Sequence, residues 1–177
     1  MPVLHRAVVC CVAACCTISA VGSAQDSDGA PRGRGCSAPE HRQFDFWIGD
    51  WEVSTADGAV AGRNRIESIL DGCALKESWT GVKGGSGTSY NAWDRQRGRW
   101  HQTWVDDGGL VLRLEGGYAD GRMVLSGETL DSVGRVVLNR ITWQETGPAA
   151  LRQLWQTSSD GGRTWGVVFD GRYRKRE

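Results

Sequence analysis

The chain has 177 residues, and its 21 Lys and Arg balance 21 Asp and Glu, so its formal net charge is zero. Because a nucleic-acid groove needs clustered Lys and Arg, and the body of the chain has no basic run, nucleic acid is not an expected partner. Hydrophobic residues make up 40% of the chain and include 9 Trp, which excludes a disordered protein and suits one folded domain.

Residues 1–24 predict a secretory signal peptide. The apolar run at residues 7–21 is too short to span a membrane, and the small residues 22–24 suit a cleavage site. Residues 25–35 are rich in Gly and charged residues and predict a flexible linker, which leaves residues 36–177 as the folded domain. The protein is then exported, either to the periplasm or to the medium.

A second interpretation of the N-terminus is a lipoprotein. Val12, Ala13, Ala14 and Cys15 resemble a bacterial lipobox, in which Cys15 would carry a lipid anchor. Both interpretations predict export without a membrane span.

Cleavage of the signal peptide leaves two of the 6 cysteines, Cys36 and Cys73. One pair in an exported protein predicts a disulfide bond that joins the N-terminal segment to the body of the domain; the alternative is two free thiols. Two isolated cysteines with His41 and His101 do not match a metal site, so neither a metal nor a cofactor is expected.

One short helix is predicted at residues 38–47, with Ser37 as a candidate N-cap and Gly49 as the stop signal. Phe44 and Trp47 fall on one face of this helix at i, i+3 spacing.

Turn signals such as Asp-Gly and Gly-Gly then recur at short, even intervals. The runs between them are rich in Val, Ile, Leu, Trp and Thr, which is typical of consecutive antiparallel hairpins. Ten strands are predicted, at residues 51–56, 59–70, 74–81, 88–94, 99–106, 110–117, 122–129, 136–144, 151–158 and 164–173.

Ten such strands either split into a sandwich or close into a barrel. We favour an all-β fold with a single antiparallel up-and-down β-barrel of about ten strands, because closure removes exposed strand edges. The short N-terminal helix would cap one end of this barrel.

The tripeptide Gly49-Asp50-Trp51 follows the predicted helix and opens the first strand. It is similar to the Gly-x-Trp signature of lipocalins. This resemblance implies that Trp51 closes the base of the barrel and that a basic residue of the last strand, Arg172 or Arg174, packs over it.

A broader resemblance covers most of residues 36–174. It is to a family of exported bacterial proteins with a lipocalin-like (calycin) barrel, and it implies that fold but no particular activity. The phrases that carry it are EHRQFDFWIGDWEV, GRNRI, GCALKESWTG, RWHQTWVDD, NRITW, LRQLWQTSSDGGRTW and FDGRYR.

Ser158, Asp160, Gly162, Thr164 and Trp165 match the Asp-box of sialidases and other propellers. The motif occurs once here, without the repeats that a propeller needs. We therefore interpret it as a structural hairpin, in which the Ser and Asp side chains bond to backbone N–H groups, and not as a sign of a glycosidase.

Alternation along four strands places an aromatic side chain two positions from an Asn, Gln or Glu on the same face. If these faces line the barrel interior, indole walls and a few polar groups suit a small, partly apolar ligand, aromatic or sugar-like. The alternative is that the indoles fill the interior completely. The ligand-binding candidates are Glu77, Trp79, Trp100, Gln102, Trp104, Asn139, Trp143, Gln153 and Trp155.

Burial of Glu77 without a partner is costly, so an arginine partner or partial hydration is expected. Arg140 and Arg152 are candidates, although alternation places both on the opposite face.

The sequence after the predicted signal peptide contains no Gly-x-Ser-x-Gly, His-x-x-x-His or Cys-x-x-Cys motif, so no catalytic residue is predicted. His101 falls on the outward face and His41 in the helical segment, neither with an evident catalytic partner. Nitrobindin-type barrels bind haem through a late His, and no His follows His101. Asp106-Asp107 is interpreted as a hairpin turn rather than as a calcium site.

The leading hypothesis is therefore an exported, non-catalytic barrel that binds a small, partly apolar ligand. Two alternatives stay open: an enzyme with an acid–base site around Glu77, and a structural or interaction protein with a packed barrel.

Overall fold

A computed structural model describes residues 35–176. The predicted signal peptide, the alternative lipid anchor at Cys15 and nearly all of the predicted linker lie outside the described residues. Among the described residues, no helix is both long enough and apolar enough to cross a membrane.

The described residues form a closed, up-and-down antiparallel barrel of ten strands, as the sequence predicts. Each strand pairs with the next one in the chain, and β10 pairs with β1 to complete the cylinder. The strands are β1 (Gly49–Ser54), β2 (Val60–Ile69), β3 (Ala74–Gly81), β4 (Ser86–Asp94), β5 (Arg99–Asp106), β6 (Val111–Ala119), β7 (Arg122–Leu130), β8 (Val136–Gly147), β9 (Ala150–Ser158) and β10 (Gly166–Lys175).

The single helix predicted at residues 38–47 is wrong in detail. The segment forms two short 3-10 helices, Pro39–Arg42 and Asp45–Trp47, and Ala38 rather than Ser37 occupies the first N-cap. In a 3-10 helix the side chains at i and i+3 eclipse each other. Phe44, the N-cap of the second helix, and Trp47, its last residue, are three positions apart and both fully buried.

The predicted disulfide bond is present. Cys36 and Cys73 are linked, and the bond joins the segment before the first 3-10 helix to the start of β3. Disulfides persist in oxidising compartments, which indicates a location outside the cytoplasm. The Arg42 guanidinium strengthens the same attachment by donating a hydrogen bond to the carbonyl oxygen of Gly72.

Aromatic packing closes one end of the barrel. The Phe44 ring stacks on Trp47 at a centroid distance of 4.8 Å and meets Trp100 and Trp143 edge-on at 5.6 and 5.2 Å. The indole N–H of Trp51 donates a hydrogen bond of 2.8 Å to the Trp47 carbonyl oxygen. These contacts anchor Phe44 and the second 3-10 helix in the end of the cylinder as a plug.

The basic residue over Trp51 is Lys175, and the expectation of Arg172 or Arg174 is wrong. Lys175 lies directly opposite Trp51 on β10, with its ammonium nitrogen 5.6 Å from the indole centroid. The reason is alternation: Tyr173 points inward, so Lys175 shares its face while Arg172 and Arg174 point outward.

The Asp-box forms the predicted local hairpin between β9 and β10. Asp160 accepts hydrogen bonds from the Thr164 backbone N–H at 2.9 Å and from the Thr164 hydroxyl at 2.6 Å. Together with the Ser158 hydroxyl, these bonds lower the pKa of Asp160 to about 2. The Trp165 indole covers the turn and carries the Arg140 guanidinium 4.0 Å from its centroid. The motif braces the outside of the barrel.

Candidate functional site

A cavity of about 260 Å³ lies inside the barrel, on the side away from the aromatic plug. Its walls are mostly apolar, and a few polar side chains are set among them. The lining residues are Glu77, Trp79, Gln102, Trp104, Leu112, Ile141, Gln153, Trp155, Val168, Phe169 and Tyr173. The interior is therefore not filled by indoles along its whole length.

Six of the nine candidate residues line this cavity: Glu77, Trp79, Gln102, Trp104, Gln153 and Trp155. The other three face inward but lie outside its lining. Trp100 and Trp143 pack against Phe44 in the closed end. Asn139 accepts a hydrogen bond of 2.9 Å from the Trp155 indole N–H and so supports a cavity wall from behind.

Two glycines allow indoles of the cavity wall to lie against the backbone. A Cβ at Gly87 in β4 would overlap the Trp104 indole. A Cβ at Gly62 in β2 would lie 2.6 Å from Cη2 of Trp79. Because each glycine sits on the neighbouring strand of its tryptophan, the flat rings rest on the wall and leave the centre of the barrel open.

The mouth of the cavity combines apolar and polar residues. A second, shallower depression shares Trp79, Val168 and Phe169 with the cavity and extends over the β1–β2 and β3–β4 turns. Val82, which is exposed, belongs to this depression. A small ligand reaching the cavity from solvent would cross this depression, whose lining also includes the charged residues Asp57, Lys83 and Asp170.

Glu77 is the charged group of the cavity and is only 4% exposed. Its Oε1 accepts a hydrogen bond of 2.7 Å from the Asn64 side-chain amide, and its Oε2 accepts one of 2.6 Å from the Ser89 hydroxyl. Burial raises the pKa of Glu77 to about 7, although the bonds from Ser89 and Asn64 oppose this rise. At pH 7 the carboxyl group is therefore protonated in about half of the molecules.

Among the described residues Glu77 has no arginine partner, so this half of the expectation is wrong for both candidates, while partial hydration stays a prediction. Arg152 forms a two-pronged ion pair with Asp170 on the outer face, at 2.6 and 2.8 Å. Arg140 donates to Gln156 and lies over Trp165. Both arginines stay on the outward side because β8 and β9 keep regular pairing across them.

A chain of hydrogen bonds extends from Glu77 in two directions. On one side, Asn64 also donates to the Tyr173 hydroxyl at 3.0 Å, and that hydroxyl donates to Gln153. Burial, and then the charge of Glu77, raise the pKa of Tyr173 well above its ordinary value, so the phenol stays protonated.

On the other side, the network runs through the polar face of β4 and β5. The Asn91 amide donates to the Ser89 hydroxyl at 2.9 Å, and the Gln102 amide donates to Asn91 Oδ1 at 2.8 Å. Among the described residues, the side-chain oxygen of Asn64 is a buried acceptor without a hydrogen-bond partner. Neutral dipoles thus fix the side chains that surround Glu77.

Sequence reasoning missed several members of the site. Phe169 and Tyr173 line the cavity from β10, while Asn64 and Ser89 hold Glu77 from β2 and β4. The same alternation would have placed Tyr173, Asn64 and Ser89 on inward faces. Val168 and Phe169 both line the cavity because the β9–β10 register shifts at this point, which the sequence pattern does not reveal.

The two described histidines lie outside the cavity. His41 is buried in the first 3-10 helix. His101 lies on the outer face of β5, with Nε2 2.9 Å from the Thr103 hydroxyl and Nδ1 3.9 Å from Glu115. Within residues 35–176, no three His, Cys, Asp or Glu side chains are grouped as a metal site.

The chain matches no protein-family model and no curated protein. The cavity itself is therefore the basis for any statement about function.

Proposed function

We propose that this protein is an exported, non-catalytic binding protein that takes a small, partly apolar ligand into the barrel cavity. The single observation that carries the proposal is the 260 Å³ cavity, with indole walls and a few polar groups. Binding sites for small molecules typically combine an apolar lining with a few placed polar groups.

Three further observations support this proposal. The hydrogen-bond network fixes the polar side chains before a ligand arrives, which lowers the ordering cost of binding. The disulfide bond suits an exported protein. The resemblance to exported bacterial proteins with a lipocalin-like barrel, which rests on phrases such as GDWEV and RWHQTWVDD, agrees with both the fold and the export.

The proposal is tested by titrating the mature domain with neutral aromatic compounds, aliphatic alcohols, sugars and fatty acids while recording tryptophan fluorescence. Ligands should change the emission of Trp79, Trp104 and Trp155, which line the cavity. Leu112→Trp should abolish the response by filling the cavity, whereas Leu130→Trp adds the same ring on the exposed surface and should preserve it. No response from any compound would count against the proposal.

An acid–base enzyme is the second candidate, and one observation favours it. Glu77 reaches the cavity with a pKa of about 7, which suits a general acid or base at neutral pH. Covalent change of a bound compound, lost in Glu77→Gln but not in the exposed control Glu128→Gln, would establish this second function in place of the first.

A further inference from the structure

The cavity lining contains an acidic residue but no basic one. Glu77 is an acidic residue, and none of the lining residues is Lys, Arg or His. The groups that hold the carboxylate, Asn64 and Ser89, are neutral. A buried carboxylate is ordinarily stabilised by a cation, and here the described residues supply none.

The carboxylate has room for further donors. Each Glu77 oxygen accepts one hydrogen bond from a side chain, and a carboxylate has about four acceptor sites in total. Gln102 lines the cavity and binds Asn91 through its amide nitrogen, so its carbonyl oxygen is another acceptor on the cavity wall. Gln153 is different: its side-chain oxygen already accepts a hydrogen bond from Tyr173, so only its amide N–H groups can serve a ligand. The polar part of the cavity thus favours a ligand with several N–H donors.

The aromatic walls favour the same kind of ligand. Trp79, Trp104, Trp155 and Phe169 line the cavity around its acidic group. The face of an indole ring attracts a cation, and this attraction is stronger where water is excluded. A carboxylate ligand, by contrast, would meet the like charge of Glu77 without any basic side chain to receive it.

We propose that the ligand of this cavity is an organic ammonium ion, a small amine that donates to Glu77 while its apolar part lies among Trp79, Trp104 and Trp155. This inference rests on the proposed binding function and names its ligand class. The bound ammonium supplies the cation that the protein leaves out, so Glu77 is held ionised by its ligand. A charged hydrogen bond in this site should improve affinity about tenfold over a neutral one.

Three compounds of nearly the same shape test the inference: 2-phenylethylamine, 2-phenylethanol and phenylacetate. They differ in the polar end, which is cationic, neutral or anionic. Calorimetric titration at about pH 8, where Glu77 with its pKa of about 7 is ionised, should rank them amine, alcohol, carboxylate. The amine should bind about tenfold more tightly than the alcohol.

Glu77→Gln keeps the side-chain shape and removes the charge. It should weaken the amine about tenfold and change the affinity for the alcohol by less than about twofold. The control Glu128→Gln removes a charge from the exposed face of β7 and should change neither affinity. Should the Glu77 variant not fold, the ranking of the three compounds by the native protein still decides the question.

The outcomes separate this inference from the proposed function. If the alcohol or the carboxylate binds as tightly as the amine, the ammonium assignment is wrong while the binding function stands. If none of the three binds but the wider panel does, the ammonium assignment is again wrong. If no compound of either set binds, both fail.

Discussion

The Ser89 hydroxyl donates a hydrogen bond of 2.6 Å to Oε2 of Glu77, so the buried carboxyl group is held by a neutral dipole and not by a countercharge. The Asn64 amide acts in the same way on Oε1 at 2.7 Å. These two bonds satisfy the carboxylate in part, but burial still raises its pKa to about 7. Stability in the absence of ligand should therefore depend on pH.

The direction of this pH dependence follows from the pKa values of Glu77 in the unfolded and folded states. In the unfolded chain the group titrates near its ordinary 4.5, and in the folded domain near 7. Between these values the folded state retains a proton that the unfolded state has lost, so stability falls as pH rises through this window and levels off above it. Across this window the free energy of unfolding falls by roughly 3 kcal/mol.

Glu77→Gln should remove this pH dependence. Urea unfolding should show the variant close to the native protein near pH 4.5 and more stable than it at about pH 8. Glu128→Gln, at an exposed position, should follow the native curve. A Glu77→Gln curve parallel to the native one would show that Glu77 titrates normally.

The disulfide bond should contribute substantially to stability. Cys36 and Cys73 are 37 residues apart, and a bridge over such a loop restricts the unfolded chain by about 2–4 kcal/mol. Replacing both cysteines by Ala should lower the free energy of unfolding by that amount. A reductant should produce the same decrease in the native domain and none in the variant. Equal stability with and without reductant would contradict this prediction.

The aromatic plug should contribute to the free energy of unfolding but not to ligand affinity. Phe44 is fully buried among three indoles, so Phe44→Ala should cost about 3–5 kcal/mol in urea unfolding. Phe46 is partly buried and contacts the core from its edge, so Phe46→Ala should cost less. Neither residue lines the cavity, and ligand affinity should persist wherever the variants remain folded. A loss of binding by folded Phe44→Ala would show that plug and cavity are coupled.

Whether a strand side chain points into or out of the barrel could be predicted from the sequence, because successive residues of a strand alternate between the two faces. Trp100, Gln102 and Trp104 all point inward as alternation requires. Their depth could not be predicted. Trp100 belongs to the plug and Trp104 to the cavity, and this division depends on the tilt and stagger of the strands, which are set by the closed barrel as a whole.

The hydrogen-bond partners of Glu77 could not be predicted from the sequence pattern either. Electrostatics alone suggested an arginine, whereas the structure supplies Asn64 from β2 and Ser89 from β4. Those partners depend on the register of β3 with both of its neighbours, in which Glu77 lies opposite Ile66 and Ser89. A sequence does not give that register directly, because several turn lengths suit the same hydrophobic pattern.

The Trp104 indole lies directly against the backbone of Gly87. The Trp104 indole occupies the space that a side chain at Gly87 would need, so Gly87→Ala must displace the ring from the cavity wall. Such overpacking should cost about 1–3 kcal/mol of stability, lower the affinity for a neutral aromatic ligand and alter the near-ultraviolet circular dichroism of the tryptophans. Gly117→Ala in β6 is the matched control, since its Cβ would meet nothing within 4 Å. If Gly87→Ala left both the dichroism and the affinity at the level of this control, the bare backbone beneath Trp104 would not be what shapes the cavity.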